Sequence, residues 1–269
     1  MTTISSRRNP LVSAYRSAAA RRDPDGPLLI DGEHLIAEAA AAGLVIRTLA
    51  VTPARLAAGS PAVAALIRRV EAAGAEVATV ADPVMAAMSP VRTPSGLVAL
   101  ADRPRIGLDA ALAGDLPLVA IAVDVQDPGN LGALVRAAEA AGATGLVTCG
   151  RSADPFGWKA LRGAMGSVFR LPIAAGIAES ELFAALGRRA IRTLAMMPAG
   201  GVSLYDAPLN GPLAVFVGSE GAGLGDTLAA RADRRVTIPM RAPVESLNVA
   251  VAGALLLFEV ARRRGPHTS

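Results

Sequence analysis

A chain of 269 residues with 27 Lys+Arg against 23 Asp+Glu and 52% hydrophobic residues is long enough for one large domain or two ordinary ones, each burying a core. That excludes a disordered chain and a coiled coil. The net charge of +4 is small, so nucleic acid is a permissible partner that charge alone does not identify. The longest apolar stretch, residues 249–258, is about half of what a membrane-spanning helix needs, which implies a soluble protein with no membrane partner.

Residues 1–22 carry Arg7, Arg8, Arg16, Arg21 and Arg22 and no acid, and Lys159 is the only lysine of the chain. Residues 1–105 hold 12 arginines against 9 acids, whereas residues 106–269 hold 15 basic and 14 acidic groups. The excess positive charge therefore lies at the front. An organelle transit peptide shares that arginine-rich, acid-free character, but there is no apolar core of the kind a secretory signal has. The next elements alternate short apolar runs with helical patterns: strands at 28–30, 45–51, 76–80 and 97–100, helices at 33–42 and 61–73. This spacing predicts a small α/β domain. Gly43 and Gly74 each follow an alanine-rich helix and precede a strand, where a left-handed cap is wanted.

A linker with Pro104, Gly107, Gly114 and Pro117 leads to stronger strands at 118–123, 146–148, 193–197, 213–217 and 236–238. Helical segments separate them, so a mostly parallel sheet covered on both faces is predicted, with domains at 1–105 and 106–269. The single cysteine, Cys149, precludes an intramolecular disulfide and a multi-cysteine metal site, and fits the reducing cytoplasm; no metal is expected. Cys149 follows a buried strand, and the only histidines are His34 and His267, so it is read as a packing residue and not as a nucleophile.

Ligands of open parallel sheets bind beyond the carboxyl ends of the strands, and three loops there are rich in polar residues. In the first, residues 124–132, Asn130 is placed to cap a helix whose apolar positions are Leu131, Leu134, Val135 and Ala138; Arg136 lies farther along it. The second has glycines at 218, 221, 223 and 225 around Glu220, an acid amid backbone N–H groups, as suits holding a hydroxyl or an amine. Its glycine spacing is not the dinucleotide fingerprint, and it lacks the lysine of a phosphate-binding loop, which weighs against a nucleotide-dependent oxidoreductase. The third, residues 239–248, leads into a last helix with a predicted apolar face of Leu247, Val251, Leu255 and Phe258, capped by Ser246 and closed by Arg262, Arg263 and Arg264 near the negative end of its dipole.

Taken together, Asn130-Leu-Gly-Ala-Leu-Val-Arg136, Val217-Gly-Ser-Glu-Gly-Ala-Gly-Leu224 and Ile238-Pro-Met-Arg-Ala-Pro-Val-Glu-Ser-Leu-Asn-Val-Ala-Val251 resemble, in order and spacing, the three motifs of the SpoU-type (TrmH-like) RNA ribose methyltransferases of the SPOUT superfamily. Residues 154–172 resemble the segment between the first two motifs, with Ala164 where serine is frequent. Ser6-Arg-Arg-Asn-Pro-Leu-Val12, Ile30-Asp-Gly-Glu-His-Leu-Ile36 and Thr93-Pro-Ser-Gly-Leu-Val98 are similar to the ribosomal-protein-like substrate-binding domain that precedes many such catalytic domains. The front of the chain is then part of the working protein.

The resemblance implies S-adenosylmethionine-dependent methylation of a ribose 2′-hydroxyl in folded RNA by a homodimer whose parallel sheet carries a trefoil knot, one of the rare exceptions to unknotted chains. It further implies Arg136 at the hydroxyl, either as general base or as the residue that orients it with the adjacent phosphate, with Asn130, Glu220, Ser246 and Asn248 ordering Arg136 and the ribose. The cofactor would lie against Gly218, Glu220, Ile238, Met240, Ser246 and Leu247. RNA would be gripped by Arg7, Arg8, Arg16, Arg21 and Arg22 together with Lys159 and Arg162. With aromatics at 3%, contact through RNA shape and backbone is expected over stacking on an aromatic platform. Large-subunit ribosomal RNA is the expected substrate; some members of the family modify transfer RNA, and a non-catalytic RNA-binding protein on the same fold is the remaining alternative.

Overall fold

The computed structural model describes residues 3–20, 25–219 and 223–265. Arg21, Arg22 and Glu220 lie outside the described residues. The chain divides into two compact units, Met1–Pro104 with Phe156–Phe169, and Arg105–Pro155 with Arg170–Ser269. Residues 156–169, which the sequence reading puts in the second domain, thus cluster with the first. Two of the contacts that tie this segment to the first unit are Trp158, packed against its core, and the Arg103 guanidinium, 4.8 Å above the Phe156 ring.

In the first unit, chain order runs α1 (Pro10–Ala19), β1 (Leu28–Asp31), α2 (Glu33–Ala41), β2 (Ile46–Val51), α3 (Pro53–Ala57), α4 (Pro61–Ala72), β3 (Glu76–Thr79), α5 (Asp82–Met88) and β4 (Leu97–Ala101). The sheet order is β1-β4-β2-β3, with β4 antiparallel to both its neighbours and β2 parallel to β3. Charge counting passes over α1, which sits within the basic segment. Asn9 caps it by accepting from the Leu11 N–H, Pro10 opens it, and Val12 and Tyr15 are buried while Arg16 faces outward. Tyr15 is fully enclosed; its hydroxyl meets Thr48 Oγ1 at 2.8 Å and donates toward the Val98 carbonyl at 3.2 Å. Burial pushes this phenol well above its ordinary range. Gly43 and Gly74 hold φ of 81° and 94°, as their cap positions require.

In the second unit follow α6 (Leu108–Ala111), β5 (Leu118–Val123), α7 (Pro128–Ala140) and β6 (Gly145–Cys149); α8 (Trp158–Ala164) belongs to the first unit. The second unit resumes with β7 (Ile173–Ile177), α9 (Glu179–Arg188), β8 (Arg192–Met196), β9 (Val202–Ser203), β10 (Leu213–Val217), α10 (Asp226–Arg231), β11 (Arg234–Thr237) and α11 (Val249–Arg264). Among the described residues its seven strands are all parallel, in the order β7-β6-β5-β10-β8-β11-β9. Alternate residues of β5, Val119, Ile121 and Val123, share a core with α6, α9 and α10, while α7 and α11 pack on each other and on the strands. Burial on both faces explains why the central strands are continuous apolar runs without alternation. The supposed linker is partly core, since Leu108, Ala111 and Leu112 are buried. Cys149 is enclosed at the end of β6, and burial pushes its thiol up to about 12, with Glu179 and Asp124 adding to the shift. It stays a protonated packing group at neutral pH.

The apolar face assigned to α11 from sequence is corrected. Val249, Ala250, Gly253, Leu256, Leu257 and Val260 are buried, whereas Val251, Leu255 and Phe258 are 49%, 44% and 49% exposed. The helix is apolar nearly all round, so periodicity could not choose its inner face; the glycine does. A Cβ at Gly253 would stand 2.6 Å from Leu134 Cδ1, so α11 meets α7 through the missing side chain. Arg263 and Arg264 then fasten the C-terminal end, donating to the carbonyls of Ala207 and Gly211 at 2.8 and 2.7 Å.

Candidate active site

The site is built where β5, β8, β10 and β11 end. After β5, Asp124 takes a positive φ of 53°, and its carboxylate accepts from the Arg151 N–H at 2.7 Å. Ser152 Oγ accepts from the Val125 N–H and donates to the Cys149 carbonyl. These bonds join the loops after β5 and β6. Asp127, not Asn130, caps α7: its Oδ1 accepts from the Asn130 N–H at 2.8 Å, with Pro128 at the first helical position. Asn130 therefore sits inside the first turn with its side chain available, and its Oδ1 accepts from Asn248 Nδ2 at 2.9 Å.

Asn248 also replaces Ser246 as the cap of α11. Its Oδ1 accepts from the Ala250 and Val251 N–H groups at 3.0 and 3.3 Å. One amide thus caps the last helix with its oxygen and reaches the first helix with its nitrogen, joining two motifs 118 residues apart.

Beyond β10, Ser219 and Gly223 exchange two backbone hydrogen bonds, Ser219 N to Gly223 O at 3.2 Å and the reverse at 2.9 Å. Gly218 lies flush against this turn: a Cβ there would stand 2.1 Å from the Gly223 carbonyl carbon and 2.3 Å from Leu224 N. No other residue type fits, and the backbone beside the cavity stays bare.

A cavity of about 410 Å³ opens beside this turn, within the usual size range of small-molecule sites. Gly218, Ile238, Met240, Ser246 and Leu247, all assigned to cofactor binding from sequence, line it. Val217, Leu224 and Val249 complete an apolar wall, and Ser219, Asp226 and Glu245 provide polar groups. The set suits a ligand with a flat ring and a polar end. Sequence reasoning missed Met196, Met197 and Pro198, which close the side formed by the end of β8. The signal was a strand followed by Pro-Ala-Gly-Gly, but only the sheet order puts β8 beside β10.

Arg136 is not brought into the cavity. It is exposed on α7 and, among the described residues, makes no hydrogen bond or ion pair. Arg7, Arg8, Arg16, Lys159 and Arg162 are all exposed on the first unit. Arg7 donates to the Pro83 carbonyl, and Lys159 lies 5.4 Å from the Trp158 ring centre. Among the described residues no group of three or more His, Cys, Asp or Glu could hold a metal ion, and no helix is long and apolar enough to cross a membrane.

Comparison with known proteins adds to this geometry. The SpoU rRNA Methylase family matches residues 117–258, and the MRM3-like substrate binding domain matches residues 16–99. The 23S rRNA (guanosine(2553)-2'-O)-methyltransferase RlmP of Bacillus subtilis is 28% identical, over 97% of this chain and 99% of its own length. An uncharacterized tRNA/rRNA methyltransferase of Synechocystis sp. is 30% identical, over 98% of this chain and 95% of its own. Among solved structures, the SpoU methyltransferase AviRb from Streptomyces viridochromogenes, in complex with AdoMet, matches with a TM-score of 0.87 at 28% identity, covering 96% of this chain and 98% of its own. An AdoMet-bound rRNA methyltransferase from Sinorhizobium meliloti matches with a TM-score of 0.84 at 30% identity, covering 99% of each.

Proposed function

Because the chain belongs to the SpoU rRNA methylase family, we propose that it transfers a methyl group from S-adenosylmethionine to a ribose 2′-hydroxyl of large-subunit ribosomal RNA. The observation that carries this reading is the cavity walled by the second and third motifs, with Asn248 beside it bonded to Asn130 of the first. The residues fit the cofactor: a backbone bared by Gly218 permits close approach, and an apolar wall suits a purine ring.

When bound, the cofactor supplies an already activated sulfonium methyl, so the protein's tasks are orientation and proton removal. Asn130 and Asn248, bonded to each other, are assigned to ordering Arg136 and the ribose. Arg136 holds the hydroxyl together with the neighbouring phosphate; a guanidinium stays protonated, so the proton leaves through the phosphate or water and not to Arg136. Glu220 and Ser246 are assigned to ordering Arg136 and the ribose. RNA capture is assigned to the first unit, through Arg7, Arg8, Arg16, Arg21, Arg22, Lys159 and Arg162, with contacts mainly to phosphates. We place the activity in the cytoplasm.

A homodimer and a trefoil knot belong to the same reading. The exposed Val251, Leu255 and Phe258 form one stripe of α11, beside an exposed α7 face of Gly129, Ala133, Arg136 and Ala140. An apolar stripe flanked by small residues suits a second copy of the chain. The insertion of β10 between β5 and β8 supports a threaded C-terminal segment. The double variant Leu255→Asp, Phe258→Asp is expected to convert the dimer to a folded monomer by light scattering; a wild-type monomer at micromolar concentration would refute the dimer.

The function itself is tested by incubating the purified protein with methyl-labelled S-adenosylmethionine and RNA from a strain lacking the gene. One alkali-resistant ribose methylation in large-subunit ribosomal RNA is expected. Label confined to transfer RNA, or found on a base, would overturn the assignment.

A further inference from the structure

The cofactor cavity has an uneven charge. Asp226, the first residue of α10, and Glu245, beside Ser246, line it, and among the described residues no lysine, arginine or histidine does. Among the described residues neither carboxylate makes a hydrogen bond or an ion pair, so neither is committed to holding the fold. Their negative field therefore acts on whatever occupies the cavity.

We propose that Asp226 and Glu245 make the cavity select the charged methyl donor over the neutral thioether it becomes, so that methyl transfer itself loosens the spent cofactor. This rests on the methyltransferase reading above. In that reaction the S–CH3 bond breaks and an O–CH3 bond forms. The electron pair of the broken bond remains on sulfur, the sulfonium becomes a neutral thioether, and the hydroxyl proton leaves through the phosphate or water. Donor and product thus have nearly the same shape and the same amino-acid end but differ by one positive charge. Shape cannot separate them well; a field can. Both carboxylates are exposed, so solvent weakens their attraction and salt screens it further.

Calorimetric titration with S-adenosylmethionine and S-adenosylhomocysteine tests this on the wild type and on Asp226→Asn, Glu245→Gln and the double variant, with circular dichroism to check the fold. The double variant is expected to bind the donor on the order of tenfold more weakly and the product less than about threefold more weakly, with the difference shrinking at high salt. Equal loss for both ligands would mean that the carboxylates serve only the shared amino-acid end, and would overturn the proposal, as would unchanged donor binding. If the wild type bound neither ligand, the methyltransferase reading would fall first and take this inference with it.

Discussion

Arg136→Ala is expected to lower the turnover of methyl transfer by roughly 10²–10³-fold, the usual consequence of removing a group that orients and stabilises the reacting atoms. The affinity for S-adenosylmethionine should stay within about twofold, because Arg136 does not line the cavity. The side chain is exposed and unpaired among the described residues, so its loss leaves no buried group unsatisfied and stability should change little. Arg136→Lys separates charge from geometry. Lysine keeps the charge but lacks the planar fork that can hold a hydroxyl and a phosphate together, so only a small part of the activity should return. Single-turnover kinetics with calorimetry on the same samples would check both halves, and full turnover in the alanine variant would remove Arg136 from the mechanism.

Gly218→Ala is expected to abolish measurable cofactor binding. The added methyl would meet only backbone: the Gly223 carbonyl carbon at 2.1 Å, its oxygen at 2.2 Å and Leu224 N at 2.3 Å. No side-chain rotation relieves such a contact, so the turn must open and the two hydrogen bonds between Ser219 and Gly223 are lost. At about 1 kcal/mol net for each bond, a stability loss of about 2–3 kcal/mol follows once strain is included. Gly223→Ala is the control. Gly223 holds a φ of 62° with nothing within 4 Å of its absent Cβ, so alanine there brings only backbone strain of about 1 kcal/mol and cofactor binding should persist. Thermal unfolding and calorimetry on the two variants distinguish the cases; wild-type affinity in Gly218→Ala would refute this account of the turn.

How much of this was legible in the sequence differs from element to element. Strands β5 and β10 run over the residues their apolar runs predict, because a strand buried on both faces must be apolar throughout. The caps Thr52, Ser60 and Asp127 each precede a proline at the first helical turn, a local pattern, yet the apolar spacing points to Asn130 as the cap, three residues after Asp127. Either side chain could have satisfied the first turn. The choice fell to Asp127, while Asn130 is bonded to Asn248, a partner 118 residues away that no local rule includes.

Among the described residues, the sequence by itself determined every strand except β7 and β9, the glycine-capped helices and the grouping of three loops as family motifs, since these depend on periodicity, on φ > 0 and on residue order along the chain. Only the tertiary structure decided which sides face which. The sheet order brought Met196, Met197 and Pro198 to the wall of the cavity. Gly253 selected the inner face of a helix apolar on nearly every side and left Val251, Leu255 and Phe258 exposed. Trp158 joined the core of the first unit although it lies more than fifty residues beyond Pro104. The physical reason is common to all three. Burial and close approach are properties of pairs of elements, and a periodicity along one element cannot say what its partner will be.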